Sequence, residues 1–99
     1  MLERGIRTYF YKKAKAFGFL AYKFKSGVTG VPDEILIVPG KVARVYFVEL
    51  KRPKGGVVDP RQELVHQVLR QNGVIVYVLN TKGLIDVCFN LLKAKPCRK

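Results

Sequence analysis

The sequence predicts one α/β domain in which helices cover both faces of a mixed four-stranded sheet. A chain of 99 residues with 48% hydrophobic content is long enough to bury one core and too short for two. Its hydrophobic spacing alternates between helical and strand-like and gives the order α-β-β-β-α-β-α. The fourth strand returns through a helix, which predicts a right-handed crossover onto the third strand. We expect the domain to span residues 1–93, followed by a basic tail over 94–99.

The first half of the chain predicts a helix and three strands. The helix covers residues 2–17, is ended by Gly18 and has one apolar face, formed by Leu2, Ile6, Phe10, Ala14 and Phe17. Strands are predicted over 19–25, 33–38 and 42–50. The first two are joined by a glycine-bearing loop over 26–32, and the last two by a turn at Pro39-Gly40.

The second half predicts a helix, a strand and a further helix. Asp59-Pro60 begins the first of these as an N-cap followed by proline, and Asn72-Gly73 ends it. Its predicted core face consists of Leu64, Val65, Val68 and Leu69. The run 74–79 is apolar on both faces, which is typical of a central strand covered on both sides. The last helix covers 81–93, and its predicted inward residues are Leu84, Ile85, Cys88, Leu91 and Leu92.

The charge of the chain indicates a polyanionic partner. Nineteen Lys and Arg oppose seven Asp and Glu, which leaves a net charge of +12. Nucleic acid is the first candidate. A membrane surface is the second, but the basic residues form no stripe with exposed apolar anchors. No signal peptide or membrane span is evident. Cys88 and Cys97 have no metal-ligand spacing, so we expect reduced thiols in a cytoplasmic protein.

One constellation of charged residues suggests chemistry. Glu49 and Lys51 are two residues apart on a predicted strand, so both side chains leave the same face. Asp33 opens the preceding strand, and a turn centred near residues 40–41 favours a register that places it opposite Glu49. Alone, a Glu-x-Lys pair on a strand is usually solvated, and an Asp after Pro is usually a turn residue. The three residues together at one end of a sheet form a more specific pattern.

These residue types suit metal-assisted cleavage of a phosphodiester. Asp33 and Glu49 offer the oxygen ligands that Mg²⁺ prefers, and the carbonyl of Leu50 is a candidate third ligand. Mn²⁺ is expected to substitute. A bound cation neutralises the phosphate and lowers the pKa of water. Lys51 beside two carboxylates suits electrostatic stabilisation of the developing charge better than general-base catalysis.

Three further residues have two interpretations each. Gln62 faces the sheet in the predicted helix, but Asp59-x-x-Gln62 also has the spacing of a capping box. Glu3 flanks the core face of the first helix, where a carboxylate also stabilises a helix N-terminus. His66, one turn after Gln62, is better explained as a partly buried structural residue than as a catalytic one.

Three segments carry a resemblance to a known family: Gly30-Val31-Pro32-Asp33, Val48-Glu49-Leu50-Lys51 and Asp59-Pro60-Arg61-Gln62. In order and spacing, from Glu3 to about Leu92, the chain resembles the virus-type replication-repair nuclease (VRR-NUC) family. That family belongs to the PD-(D/E)XK superfamily and has a restriction-endonuclease-like fold. The resemblance implies metal binding by Asp33 and Glu49, with Glu3 contributing from the first helix. It also implies catalytic support from Lys51 and Gln62.

The resemblance further implies a Mg²⁺-dependent endodeoxyribonuclease in the cytoplasm of a bacterial or phage-infected cell. Stand-alone members resemble junction-resolving enzymes, so a homodimer acting on branched DNA such as four-way junctions is expected. One departure concerns the loop before Asp33, where Val28 and Thr29 stand in place of a basic residue that many members carry. Candidate DNA contacts are Tyr22, Lys23, Lys25, Ser26, Gly30, Arg52, Lys54 and Arg61.

A different class of protein remains as the alternative, namely a basic module that binds nucleic acid without cutting it. The net charge fits this reading equally well. It does not explain why two of only seven acidic residues lie at the presumed phosphate site. A carboxylate there repels phosphate unless a cation lies between them.

Overall fold

The computed structural model of the protein describes residues 3–52 and 58–94, with Glu3 described only in its backbone. The elements within these residues are α1 (Glu3–Phe17), β1 (Leu20–Lys23), β2 (Glu34–Val38), β3 (Arg44–Leu50), α2 (Pro60–Gln71), β4 (Val76–Leu79) and α3 (Lys82–Ala94). The predicted element order is confirmed, although each strand is shorter than its apolar run. In this part of the chain no helix is both long and apolar enough to cross a bilayer.

The strands form a mixed sheet in the order β1-β2-β3-β4. β1 with β2 and β2 with β3 are antiparallel, whereas β3 and β4 are parallel. The predicted parallel crossover through α2 is therefore confirmed. The prediction that the 74–79 run is a central strand is wrong, because β4 lies at an edge of the sheet. Apolar residues on both faces of β4 are nevertheless at least partly covered: Val76 and Leu79 are buried, and Tyr77 and Val78 are half-buried.

The main core lies between one sheet face and the helices α1 and α3. The ring of Phe89 is fully buried there and contacts the rings of Phe10, Phe17 and Phe19 at centroid distances of 5.4–5.6 Å. Sequence spacing correctly assigned Ile85, Cys88 and Leu92 of α3 to this core. It wrongly assigned Leu84 and Leu91, which are exposed, because Phe89 occupies the centre of the helix face.

Helix α2 lies on the other face of the sheet, and its orientation differs from the prediction. Leu64 and Val68 are exposed, whereas His66 is buried and Gln62 is half-buried. Hydrophobic spacing misplaces this face because two polar side chains of α2 turn toward the sheet. Gln62 has a hydrogen-bond partner there, which offsets the cost of removing an amide from water.

Both ends of α2 are capped. Asp59 has an extended backbone, and its side chain accepts from the Gln62 backbone N–H at 2.9 Å. Pro60 occupies the first helical turn, where a missing N–H costs nothing. At the other end Asn72 and Gly73 close the helix onto the carbonyls of its last turn, with Gly73 at a positive φ of 87°.

Candidate active site

The hairpin of β2 and β3 brings Asp33 and Glu49 together at one end of the sheet. Glu34 pairs with Val48 and Ile35 with Phe47, and the same register places Asp33 opposite Glu49. Asp33 directly precedes β2, and its carbonyl accepts the Phe24 N–H at 2.6 Å. The backbone around Asp33 is therefore tied into the sheet, and the predicted pairing has the geometry that the sequence indicated.

Glu49 is the most constrained residue of this cluster. It is only 1% exposed. Its Oε2 lies 3.5 Å from Lys51 Nζ and accepts from Gln62 Nε2 at 3.2 Å. Its Oε1 is buried and has no hydrogen-bond partner among the described residues. Burial and the negative charge of Asp33 raise the pKa of Glu49, while Lys51 and Gln62 oppose that rise.

The Gln62 side chain satisfies both interpretations that the sequence left open. Its Oε1 accepts the backbone N–H of Asp59 at 3.2 Å, which completes a capping box. Its Nε2 donates to Glu49. The two ends of the amide thus join the start of α2 to the carboxylate on β3.

The donor set fits a hard cation such as Mg²⁺. The unpartnered Oε1 of Glu49 is an oxygen that a cation would satisfy. Asp33 supplies a second carboxylate, and the Leu50 carbonyl lies at the end of the same strand as Glu49. Within residues 3–52 and 58–94 no cluster of three or more His, Cys, Asp or Glu is present. Two carboxylates suffice for Mg²⁺, which keeps several waters.

Glu3 stands at the first position of α1, and its side chain lies outside what the structure describes. One turn later, Arg7 contacts Glu34, the residue after Asp33. This contact places the first turns of α1 at the same end of the sheet as Asp33. Whether Glu3 contributes a ligand stays a prediction.

The loop between β1 and β2 lines an open cavity of about 370 Å³ that includes Asp33. Of the predicted DNA contacts, it contains Lys23, Lys25, Ser26 and Gly30. Arg61 lines a second cavity of about 530 Å³ beside it, together with Thr29 of the same loop. Arg52 is exposed one residue after Lys51, and Lys54 lies outside the described residues.

This loop packs against α2 through Gly30. A Cβ on Gly30 would lie 2.9 Å from Val65 Cγ2 and 3.0 Å from the Arg61 carbonyl oxygen. Its φ is +98°, a conformation that side-chain-bearing residues rarely adopt. Only glycine fits both requirements, so Gly30 fixes the wall of the cavity against the helix that carries Gln62.

The sequence interpretation missed Glu34. This carboxylate is 0% exposed and faces α1, on the side of the sheet opposite Asp33. Its Oε1 accepts from the Tyr11 hydroxyl at 3.0 Å and from Arg7 Nε at 3.4 Å. Alternation with the buried Leu36 and Val38 in β2 was the signal that could have assigned Glu34 to the interior.

His66 is more buried than predicted, at 2% exposed, and its Nε2 has no hydrogen-bond partner among the described residues. Burial, reinforced by the positive charge of Arg70, lowers the pKa of its imidazole. A neutral imidazole at this position suits the packed interior between α2 and the sheet. Because the described residues offer Nε2 no hydrogen-bond partner, they do not orient His66 for catalysis.

Comparisons with known proteins point in one direction. A family model described as the VRR-NUC domain matches residues 10–83, a segment that contains Asp33, Glu49, Lys51 and Gln62 but not Glu3. A solved structure described as a VRR_NUC domain superposes with a TM-score of 0.77 at 28% identity. That match covers 97% of this chain and 100% of the other. A comparison with curated proteins finds none that matches.

Proposed function

Because this chain belongs to the VRR-NUC family of nuclease domains, we propose that it is a Mg²⁺-dependent endonuclease that hydrolyses phosphodiester bonds in DNA. The observation that carries the proposal is the buried Glu49 carboxylate. It lies opposite Asp33, and one of its oxygens has no hydrogen-bond partner within the part of the chain that the structure describes. Burying such a group is costly unless a ligand compensates it. A divalent cation between the two carboxylates is the ligand that their charge and chemistry favour.

Each residue of the cluster has a distinct part in this proposal. Asp33, Glu49 and the Leu50 carbonyl hold the cation, whose chemistry when bound is neutralisation of phosphate charge and acidification of water. Lys51, on the same strand face as Glu49, stabilises negative charge as it develops on the phosphate. Gln62 orients Glu49 by donating to Oε2, which leaves Oε1 as the oxygen that would bind the cation.

The basic surface supplies substrate affinity. Lys23, Lys25 and Ser26 line the cavity that contains Asp33. With a net charge of +12, the chain attracts the phosphate backbone regardless of base sequence. Such contacts align a strand across the carboxylates without reading its bases.

We further propose that the enzyme acts as a homodimer on branched DNA such as four-way junctions. The described part of the chain contains one Asp33–Glu49 pair. Symmetric cleavage of two strands requires two such sites, which a two-fold dimer provides.

The alternative, a module that binds nucleic acid without cutting it, is less favoured by the same cluster. A purely binding surface gains nothing from burying Glu49 beside Asp33. Burial and the charge of Asp33 raise the pKa of Glu49, and ionised carboxylates at this position repel phosphate. The geometry becomes favourable only with a cation present.

The direct test is a cleavage assay of the full chain. Purified protein is incubated with linear duplex, single-stranded and four-way-junction DNA in Mg²⁺, in Mn²⁺ or in EDTA. We expect cleavage in either metal, none in EDTA, and the highest rate on the junction. Binding without cleavage in every metal would instead identify the non-catalytic module.

A further inference from the structure

The sheet face that carries Asp33 and Glu49 is only partly covered by a helix. Over β1, β2 and β3 it presents two cross-strand rows, each of three apolar residues in direct register. One row is Leu20, Ile37 and Val45, and the other is Tyr22, Ile35 and Phe47. Leu20, Tyr22 and Val45 are each about half exposed. A soluble chain rarely leaves so regular an apolar surface open without a partner.

One flank of α2 extends this surface. Leu64 shares a cavity with Thr29, so that flank of the helix lies on the side of the β1–β2 loop. Val68 follows one turn later on the same flank, and both side chains are exposed. The two rows form a floor and this flank forms a wall. We call the eight residues together the apolar platform.

We infer that the apolar platform is the surface through which two copies of this chain associate. None of its eight residues is ionisable at neutral pH, although the chain carries a net charge of +12. Two such copies repel each other over most of their surface. They approach with least repulsion through an uncharged face, where removing apolar area from water drives association. A self-complementary patch of this kind suits the isologous contact of a two-fold dimer.

A nucleic acid is a poorer occupant of the same surface. Six of the eight side chains are aliphatic, whereas unpaired bases stack on aromatic rings. None of the eight platform side chains is charged, so phosphates gain no charge contact from them, whereas Lys23 and Lys25 line the cavity beside Asp33.

A second exposed apolar stripe, on α3, provides a built-in comparison. Leu84, Val87 and Leu91 recur at helical spacing on the opposite side of the molecule, away from Asp33. The apolar platform, in contrast, is continuous with the candidate site, because the row after Tyr22, Ile35 and Phe47 contains Asp33 and Glu49. Association through the platform therefore brings two candidate sites into one assembly. This inference rests on the proposed dimer and specifies its interface.

A matched pair of substitutions tests the inference. Val45 on the platform is 53% exposed and Val87 on α3 is 56% exposed, so Val45→Lys and Val87→Lys make the same chemical change at equal exposure. Sedimentation equilibrium of the full chain across the micromolar range measures the mass. We expect about twice the 11.2 kDa chain mass for the wild type and for Val87→Lys. We expect a shift to the single-chain mass for Val45→Lys.

Several results of this experiment would overturn the inference. A monomeric wild type, or a Val45→Lys chain that keeps the dimer mass, would overturn the inference. So would a Val87→Lys chain that becomes monomeric. Loss of single-stranded DNA binding by Val45→Lys in a monomeric protein would assign the platform to bases instead. Circular dichroism verifies folding, and Leu20→Lys on the same platform serves if Val45→Lys does not fold. Mass does not depend on cleavage, so failure here is distinguishable from failure of the nuclease proposal.

Discussion

Gln62 Nε2 donates to Glu49 Oε2 at 3.2 Å, while the Oε1 of the same amide accepts the backbone N–H of Asp59 at 3.2 Å. The second contact fixes which end of the amide faces the carboxylate, because a flipped amide would place two acceptors against each other. The cap of α2 is therefore part of the candidate site. Through Gln62, the backbone N–H of Asp59 helps to orient Glu49, although Asp59 itself does not contact Glu49.

Removing this cap is expected to weaken cleavage. Asp59→Ala removes the carboxylate that accepts the Gln62 backbone N–H and so loosens the first turn of α2. The Gln62 side chain keeps its contact with the Asp59 backbone N–H, but from a looser turn it orients Glu49 less well. We expect a loss of roughly 10-fold or more in single-turnover cleavage, the scale of losing a residue that orients a metal ligand. Gln62→Ala should cost at least as much, and the double variant should cost no more than Gln62→Ala alone.

Thr81→Ala is the matched control for this prediction. The Thr81 hydroxyl accepts the Leu84 N–H at 3.0 Å at the start of α3, away from the candidate site. Both substitutions remove a helix cap worth about 1 kcal/mol. Only Asp59→Ala should slow cleavage. Equal cleavage losses in the two variants would reduce the role of Asp59 to stability alone.

Alanine substitutions at Lys51 and at Lys25 are expected to impair different steps, cleavage and DNA binding respectively. Lys51 lies beside Glu49 and acts where charge develops, so Lys51→Ala should lower single-turnover cleavage by about 10² or more with little change in DNA affinity. Lys25 lines the adjacent cavity. Lys25→Ala should weaken binding, reduce its salt dependence by about one unit of slope, and leave cleavage at saturating enzyme near normal. The same profile in both variants would mean that Lys51 is only another phosphate contact.

Gly30→Ala is expected to destabilise the fold by at least about 1 kcal/mol. The added Cβ meets Val65 and the Arg61 carbonyl, and the φ of +98° is unfavourable for alanine. Gly27→Ala, in the same loop, meets no atom within 4 Å and needs no positive φ, so it should be nearly neutral. Urea unfolding of both variants measures the difference, and equal midpoints would show that the loop does not depend on its contact with α2.

Acid should destabilise the protein partly through His66. Its pKa is lowered in the folded state by burial, so the unfolded chain takes up a proton first as the pH falls below about 6.5. Stability is thereby lost progressively as the pH falls below about 6.5. In His66→Leu this part of the loss should disappear, which changes the slope by at most about 1.4 kcal/mol per pH unit. Urea midpoints over this range test the prediction, and identical slopes in both proteins would contradict it.

The sequence predicted the features that depend on local pattern and register. The element order, the parallel crossover, and the pairing of Asp33 with Glu49 all follow from spacing, turn position and strand alternation. The side of α2 that faces the sheet followed only in part, because Gln62 faces the sheet as predicted whereas Leu64 and Val68 do not. Apolar spacing assigned Leu64 and Val68 to the core, but the contact of Gln62 with Glu49 turns that flank outward.

The burial of Glu34 was also not predicted, although strand alternation in β2 indicates it. A charged residue is normally assigned to the surface, and its partners Arg7 and Tyr11 lie on a helix about 25 residues earlier in the chain. Such long-range compensation depends on the packing of α1 against the sheet. It cannot be obtained from the composition of β2 alone.

The central claim is that Glu49 helps to bind a metal ion needed for cleavage. Glu34 provides the matched control for testing it, because these two buried glutamates lie on opposite faces of the same sheet. Glu49→Gln and Glu34→Gln remove the same charge from the same burial, but only Glu49 faces the proposed cation. Single-turnover cleavage of four-way-junction DNA in Mg²⁺ is measured for both, with folding checked by circular dichroism. We expect cleavage by Glu34→Gln, and background cleavage by Glu49→Gln with DNA binding retained or tightened. Cleavage by Glu49→Gln at the wild-type rate would contradict the metal site on which the proposed function depends.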